Sequence, residues 1–264
     1  MFPPQRIVCL TEETVETLYL LGEEHRIVGV SGYAVRPARV RKEKTRVSAF
    51  ISADIPKILA LAPDLVLTFS DLQADIVAAL IRAGVAVHAF NQRDVAGIFD
   101  MIRVTGALVG AADKADALAR SLQARLDARR QMTADIRKKP RVYFEEWDDP
   151  QISGIRWVSE LVGIAGGDDV FPELARESLG KNRIIADPLE VPRRSPDVIF
   201  GSWCGKKFRP ETVAARAGWG EVPAVRGGHL YEIKSSIILQ PGPAALTDGL
   251  NAMHALLSKW GAAQ

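Results

Sequence analysis

Short β-branched runs alternate with amphipathic stretches over the first ninety residues. Residues 7–10, 26–30, 65–69 and 85–90 are apolar and suited to buried strands. Between them, residues 11–21, 55–61 and 71–83 carry helical periodicity. Gly22, the Ala62-Pro63-Asp64 turn and Gly84 close these stretches, and Thr11-Glu12-Glu13 reads as the cap of the first helix. Strands separated by short helices predict right-handed βαβ units and a parallel sheet. From residue 95 the pattern turns helical, with one helix at 95–109 ending at Gly110 and another at 112–138 stopped by Pro140. The second of these would run about 40 Å. The alternation then resumes, with strands at 141–145, 197–201 and 230–233 and helices at 156–163 and 243–260. The fold class this predicts is α/β: two lobes, each a mainly parallel sheet flanked by helices, joined by one long connecting helix. Residues 1–110 form the first lobe, 111–139 the connecting helix and 140–264 the second lobe.

The two halves echo each other weakly. Leu61-Ala-Pro-Asp-Leu-Val-Leu67 resembles Arg194-Ser-Pro-Asp-Val-Ile-Phe200, each reading as helix end, Pro-Asp turn and buried strand. The echo is too degenerate for a sequence repeat, but it supports two similar lobes. The default ligand site in such an arrangement is a crevice between lobes, at the carboxyl ends of parallel strands.

Composition narrows the class. Of 264 residues, 47% are hydrophobic and 25% charged, which excludes disordered, collagen-like and coiled-coil chains. With 34 basic against 32 acidic side chains the net charge is +2, too little for a bulk electrostatic claim on nucleic acid or an anionic membrane. Cys9 and Cys204 match neither a zinc spacing nor a disulfide framework and point to a reducing compartment. Met1-Phe-Pro-Pro-Gln-Arg6 shows no export signal, and no apolar window is long enough to span a bilayer. The expectation is a cytoplasmic protein, or a periplasmic one if a leader was removed.

Motifs for chemistry are missing. There is no phosphate loop, Gly-x-Gly-x-x-Gly, Gly-x-Ser-x-Gly or His-Glu-x-x-His. Of the four histidines, His88 reads as a core residue within a strand and His254 as structural. No enzyme, resident cofactor or metal site is expected. What the chain offers is aromatic side chains at the predicted carboxyl ends of strands: Tyr33, Phe50, Phe69, Trp147 and Trp203. Such rings give flat apolar area at low entropic cost and suit a large rigid ligand; alternatively they edge the core. Glu145-Glu-Trp-Asp-Asp149 sets four carboxylates around a tryptophan. If strand alternation persists, Glu145 and Trp147 share a face and Glu145 is an acceptor for a ligand amide; otherwise the segment is a solvated loop. Cys204, followed by Gly205-Lys-Lys207, is either an inert thiol or a metal ligand. The basic run at 36–46 reads as a solvated loop, with Arg36 the member near enough to Tyr33 for a ligand contact.

The chain resembles the cobalamin- and ferric-siderophore-binding class of ABC-transporter substrate-binding proteins, the cobalamin branch most nearly. The resemblance rests on Arg6-Ile-Val-Cys-Leu-Thr-Glu-Glu-Thr-Val-Glu-Thr-Leu18, Ile27-Val-Gly-Val-Ser-Gly-Tyr33, Ile58-Leu-Ala-Leu-Ala-Pro-Asp-Leu-Val66, Leu80-Ile-Arg-Ala-Gly-Val85 and Ser195-Pro-Asp-Val-Ile199, with further likeness at 98–110 and 159–171. It implies two lobes joined by a long helix, a ligand between them, and binding rather than catalysis. It also implies that Tyr33, Phe50, Phe69 and Trp147 line the cleft. The cleft tryptophan expected near Arg183 is missing. The family docks on its permease through one glutamate per lobe; here Pro56 and Leu189 stand at those places, with Glu190 one position further on. The expected function is binding of a corrinoid for storage, handover or sensing. A haem or ferric-siderophore binder, with Tyr33 or Cys204 as iron ligand, is the alternative. An enzyme acting through the carboxylates at 145–149 and a protein-interaction module are the readings from other classes.

Overall fold

The computed structural model describes residues 2–262. The chain forms two compact units, one of Met1–Gln92 with Ala96–Leu122 and one of Arg93–Val95 with Gln123–Gln264.

The first unit is built on five parallel strands: β1 (Ile7–Cys9), β2 (Ile27–Ser31), β3 (Thr45–Ser48), β4 (Leu65–Phe69) and β5 (Val87–Phe90), in the order β3-β2-β1-β4-β5. Every residue of β1 and β4 is buried, which is why both read as unbroken apolar runs: a central parallel strand is covered on both faces. Val8, Leu10, Val66, Ile58, Ile76 and Leu80 meet in one core cluster beneath the sheet's helices. The strand order reverses between β1 and β4, which makes their carboxyl ends the topological switch point of the sheet.

β3 falls partly within the basic run that reads as a solvated loop. Only Val47 of its four residues is buried, while Thr45 and Arg46 are exposed, so an edge strand with a single inward residue carries no apolar signature. Two of the cations around it are engaged. Lys44 donates to the carbonyls of Glu24 and Ile27, and Arg39 pairs with Glu24 and Glu43. The helix expected at 71–83 divides into a 3-10 turn, Asp71–Gln73, and a helix, Ala74–Arg82. The long helix spans Ala112–Ala134, ending four residues before the expected 138. Its buried positions, Ala115, Ala119, Leu122, Leu126 and Thr133, recur at intervals of three, four and seven and form one stripe.

The second unit holds β6 (Arg141–Asp148), β7 (Gln151–Ser153), β8 (Asp168–Asp169), β9 (Val198–Gly201) and β10 (Leu230–Glu232), ordered β10-β9-β6-β7 with β8 on β6. β6 and β7 are antiparallel and the other pairs parallel. The carboxylate-rich segment at 145–149 is therefore no loop: β6 continues through Asp148 and turns back into β7. Glu145 lies opposite Ser153 and Trp147 opposite Ile152. Two steps on β6 thus match one on β7, and Glu146 is the extra residue of a bulge that breaks the simple alternation expected there. At the carboxyl end, the helix expected at 243–260 begins with a π turn, Ala245–Gly249, before Leu250–Ala262.

One device appears in both units. Asp64 accepts hydrogen bonds from the backbone N–H groups of Gln5 (2.7 Å) and Arg6 (2.8 Å), and its own N–H donates to the Arg6 carbonyl (2.9 Å). The Arg6 guanidinium donates to the Leu61 carbonyl (2.7 Å) at the end of the preceding helix. In the second unit Asp197 accepts from the Arg141 N–H (2.9 Å) and donates back to the Arg141 carbonyl (2.8 Å), while the Arg141 guanidinium donates to the Arg194 carbonyl (2.6 Å). Ala62 (φ +44°) and Ser195 (φ +46°) close the two helices in the left-handed region. The Pro-Asp echo is thus a lock between an arginine entering one central strand and an aspartate entering its neighbour. Asp64→Ala and Asp197→Ala should each lower unfolding free energy by about 1–2 kcal/mol, the scale of exposed charge-assisted hydrogen bonds. Urea titration reads this, and wild-type midpoints for both variants would show that the lock holds nothing.

Candidate ligand-binding site

In the first unit, the carboxyl ends of the strands carry three of the aromatic residues singled out in the sequence. Tyr33 follows β2 and is half exposed (50%). The loop after β2 is tied to β3 by the Gly32 N–H donating to the Ser48 carbonyl (2.7 Å). Phe50 is half-buried in the turn after β3, which closes through Ala49 N–H to the Ser52 carbonyl (2.8 Å). Phe69, the last residue of β4, is buried. Ile51 and Leu72, beside these turns, are exposed. Arg36 faces elsewhere: its Nε donates to Glu16 (3.0 Å), and it lines a separate recess of about 470 Å³ with Glu16, Tyr19, Leu20 and Arg39.

Sequence reasoning passed over two features of this edge. The first is Gln73, fully buried, whose Oε1 accepts from the Phe69 N–H (3.0 Å) while its Nε2 donates to the carbonyls of Leu10 (3.2 Å) and Phe50 (2.8 Å). Ser70, between Phe69 and that glutamine, has φ +64° and ψ 170°. Side-chain-bearing residues avoid that region, at a cost of about 1–3 kcal/mol, and such strain clusters at functional sites. The polar pair Ser70-Asp71 ahead of a helix is the only sequence signal of this turn.

The second feature is the pair Glu12 and Glu13, directly after β1. Both are buried, and Oε2 of each has no hydrogen-bond partner. The expected cap is not formed: Thr11 makes no capping bond and donates its hydroxyl to Glu13 Oε1 (2.6 Å). Burial pushes the Glu12 carboxyl up to about 7, and burial with the neighbouring Glu12 charge pushes Glu13 up to about 8. Cys9 behind them is inert, its thiol pushed up to about 12 by burial.

In the second unit, Glu145 is consumed internally. It is fully buried. Oε1 accepts from the Trp203 indole N–H (3.1 Å) and Arg216 Nη2 (3.0 Å), and Oε2 accepts from Arg216 Nη1 (2.5 Å) and the Tyr143 hydroxyl (3.2 Å). No oxygen is left for a ligand amide. Burial works against the Arg216 charge, but the Glu145 carboxylate outweighs it and holds the guanidinium above its ordinary value. Trp203 is buried edge-on against Phe208, with ring centres 5.0 Å apart. A Cβ on Gly201 would lie 1.8 Å from the Phe208 ring, so glycine is what lets that ring cover the end of β9. Glu146, the bulged residue, receives both terminal nitrogens of the buried Arg183 (2.6 and 3.0 Å). Arg183 is thus held by its own ion pair with Glu146.

Trp147 packs at the margin of the second unit's core. It is half-buried, its indole N–H donates to the Asp149 carbonyl (2.9 Å), and the Lys206 ammonium lies 5.6 Å from its ring. Lys206 also sits 5.0 Å from the Trp203 ring and pairs with Asp148 (2.5 Å). Cys204 is exposed. Among the described residues no group of three or more His, Cys, Asp or Glu side chains could hold a metal ion. His88 packs edge-on against Phe90, and His254 bonds the Ala165 carbonyl.

This architecture has a match in sequence. The family model described as periplasmic binding protein covers residues 7–237. The chain belongs to the periplasmic binding protein family. It is a solute-binding protein, not an enzyme, and no helix among its described residues is long and apolar enough to cross a membrane. Within this family the chain is 25% identical over 250 residues to the uncharacterized ABC transporter substrate-binding lipoprotein YvrC of Bacillus subtilis, covering 91% of this chain and 76% of that one. Its fold is similar to the periplasmic vitamin B12 binding protein BtuF of Vibrio cholerae, with TM-score 0.78, 22% identity and 98% of each chain covered. The periplasmic heme-binding protein RhuT of Roseiflexus sp. RS-1 is similar at TM-score 0.80 and 22% identity, covering 96% of this chain and 99% of that one.

The Glu12–Glu13 pair makes stability depend on pH in a stated direction. Both folded-state values lie above the ordinary 4.5, so the folded chain retains protons that the unfolded chain gives up. The contribution is complete below about pH 4.5 and is lost as pH rises through 7 to 8. Unfolding free energy should fall across that window, and a Glu12→Gln/Glu13→Gln variant should show a flatter profile. Denaturant melts at pH 5, 6.5 and 8 decide this; parallel profiles for the two proteins would refute it.

Proposed function

We propose that this solute-binding protein takes a corrinoid of the vitamin B12 class as its ligand. The observation that carries the reading is the set of aromatic side chains, Tyr33, Phe50 and Phe69, that end β2, β3 and β4 on one edge of the first sheet. A corrinoid is a large, rigid macrocycle fringed with carboxamides. Aromatic rings meet the macrocycle, and buried carboxyl groups with unpartnered oxygens, Glu12 and Glu13, complement amide N–H groups. The relative from Vibrio cholerae named for vitamin B12 supports the same choice.

Haem is the second reading, favoured by one observation: the Tyr33 phenol is exposed at the end of β2, where it is free to reach a ferric iron. Haem propionates call for cations, however, and Arg36 is already paired with Glu16 while the switch-point edge carries Glu12 and Glu13. The proposal does not include permease docking through paired glutamates: Pro56 and Leu189 are both exposed at the expected places, and Glu190 is held by Arg193 and Arg194.

Titration of tryptophan fluorescence with cyanocobalamin, with haemin as comparator and inner-filter absorption corrected, tests the assignment. Saturable quenching by cyanocobalamin is expected, weakened about tenfold in Tyr33→Ala and in Phe50→Ala, since each removes roughly 1–2 kcal/mol of aromatic contact. Saturation by haemin alone, with a charge-transfer band abolished by Tyr33→Phe, would replace the corrinoid by haem. No saturable response to either compound would remove both.

A further inference from the structure

We propose that Gln73 is a positioning residue for the ligand edge of the first unit, fixing Phe50 and Phe69 by tying together three separate chain ends. This rests on the reading of that edge as the ligand-binding one. The ends are the residue after β1 (Leu10), the turn after β3 (Phe50) and the last residue of β4 (Phe69), and the side chain touches one backbone group in each. Two of these ends flank the switch point, where the strand order reverses and ligands of open α/β sheets sit.

The chemistry singles out glutamine. The clamp has to accept one N–H and donate to two carbonyls at once. A primary amide supplies one acceptor and two donors on a single rigid plane. A glutamate lacks the donors, and an aliphatic side chain lacks both. The side chain is fully buried, so water cannot take over its bonds.

Ser70 explains what the clamp resists. Its backbone lies in a region that suits glycine, and it is held there from several directions: the Ser70 N–H donates to the Phe90 carbonyl (2.8 Å), its hydroxyl accepts from the Leu72 N–H (3.3 Å), and the Gln73 N–H donates to its carbonyl (3.3 Å). Phe69 immediately precedes this strained residue, and its N–H is the group that Gln73 Oε1 holds. Without the amide, β4 would lose the bond that fixes the approach to the turn, and Phe50 would lose its anchor to β4. The aromatic positions are therefore set by a residue that itself lies beneath the surface.

The test compares wild type with Gln73→Leu, Gln73→Glu and Ser70→Gly by amide hydrogen exchange over segments 46–54 and 66–74, and by cyanocobalamin titration. Gln73→Leu should exchange at least tenfold faster in both segments and bind cyanocobalamin at least tenfold more weakly. If Gln73→Leu does not fold, Gln73→Glu carries the test. Protonated at pH 5, its carboxyl accepts from Phe69 and donates to one carbonyl; ionised at pH 8, it repels both carbonyls. Relative to wild type at the same pH, protection of 46–54 and cyanocobalamin affinity should both recover on going from pH 8 to pH 5, which a general packing role would not produce. Ser70→Gly should melt at a higher temperature. Unchanged exchange at 46–54 in the Gln73 variants, or changed exchange with unchanged cyanocobalamin affinity, would overturn the positioning role. Wild-type protein that ignores cyanocobalamin would count against the corrinoid alone, with the exchange data still deciding whether Gln73 ties the three ends.

Discussion

An aspartate that follows a proline sets the register of each sheet from its amino edge. Asp64 grips the entry to β1, and Asp197 grips the entry to β6. The arginine on the far side of each grip, Arg6 or Arg141, satisfies carbonyls at the end of the helix that leads into the turn. One small cluster thus aligns two central parallel strands and stops one helix. In a parallel sheet a slip by one residue would turn a buried strand inside out, so everything at the opposite edge inherits its position from this contact.

At the carboxyl edges the two units solve the same problem with different chemistry. The first ties its strand ends with a neutral amide, Gln73, and leaves Glu12 and Glu13 with open oxygens. The second uses a buried ion pair, Glu145 with Arg216, braced by Trp203 and Tyr143. Removing one partner of such a pair is costly because the other charge stays buried without compensation. The second edge is accordingly closed around its own charges, with Trp147 half-buried beside them. The contrast explains why a group of carboxylates adjacent in sequence does not make an acid–base site: Glu145 and Glu146 are each neutralised by an arginine.

The central strands were legible because covering both faces forces a continuous apolar run; residues 65–69 carry the same bounds in sequence pattern and in structure. β3 was not legible, because an edge strand with one inward valine looks like the charged loop beside it. The end of β6 was misread for a related reason: carboxylates are depleted in strands, and only the pairing with β7 and the arginines at 183 and 216 makes them tolerable there. The aromatics were findable from their places after apolar runs. Gln73 was not, since its three partners lie at separations of 4, 63 and 23 residues and are all backbone groups. Side-chain-to-backbone ties leave almost no trace in a single sequence.

The amino-edge lock has a consequence for how such a protein diversifies. Since strand alignment is fixed before the chain reaches the carboxyl-edge turns, those turns can lengthen, shorten or exchange aromatic for polar residues without disturbing the alignment. Evolution can therefore move from one cargo to another through positions that the sheet does not use to assemble itself, and a protein engineer grafting a new turn after β2 would start from the same freedom.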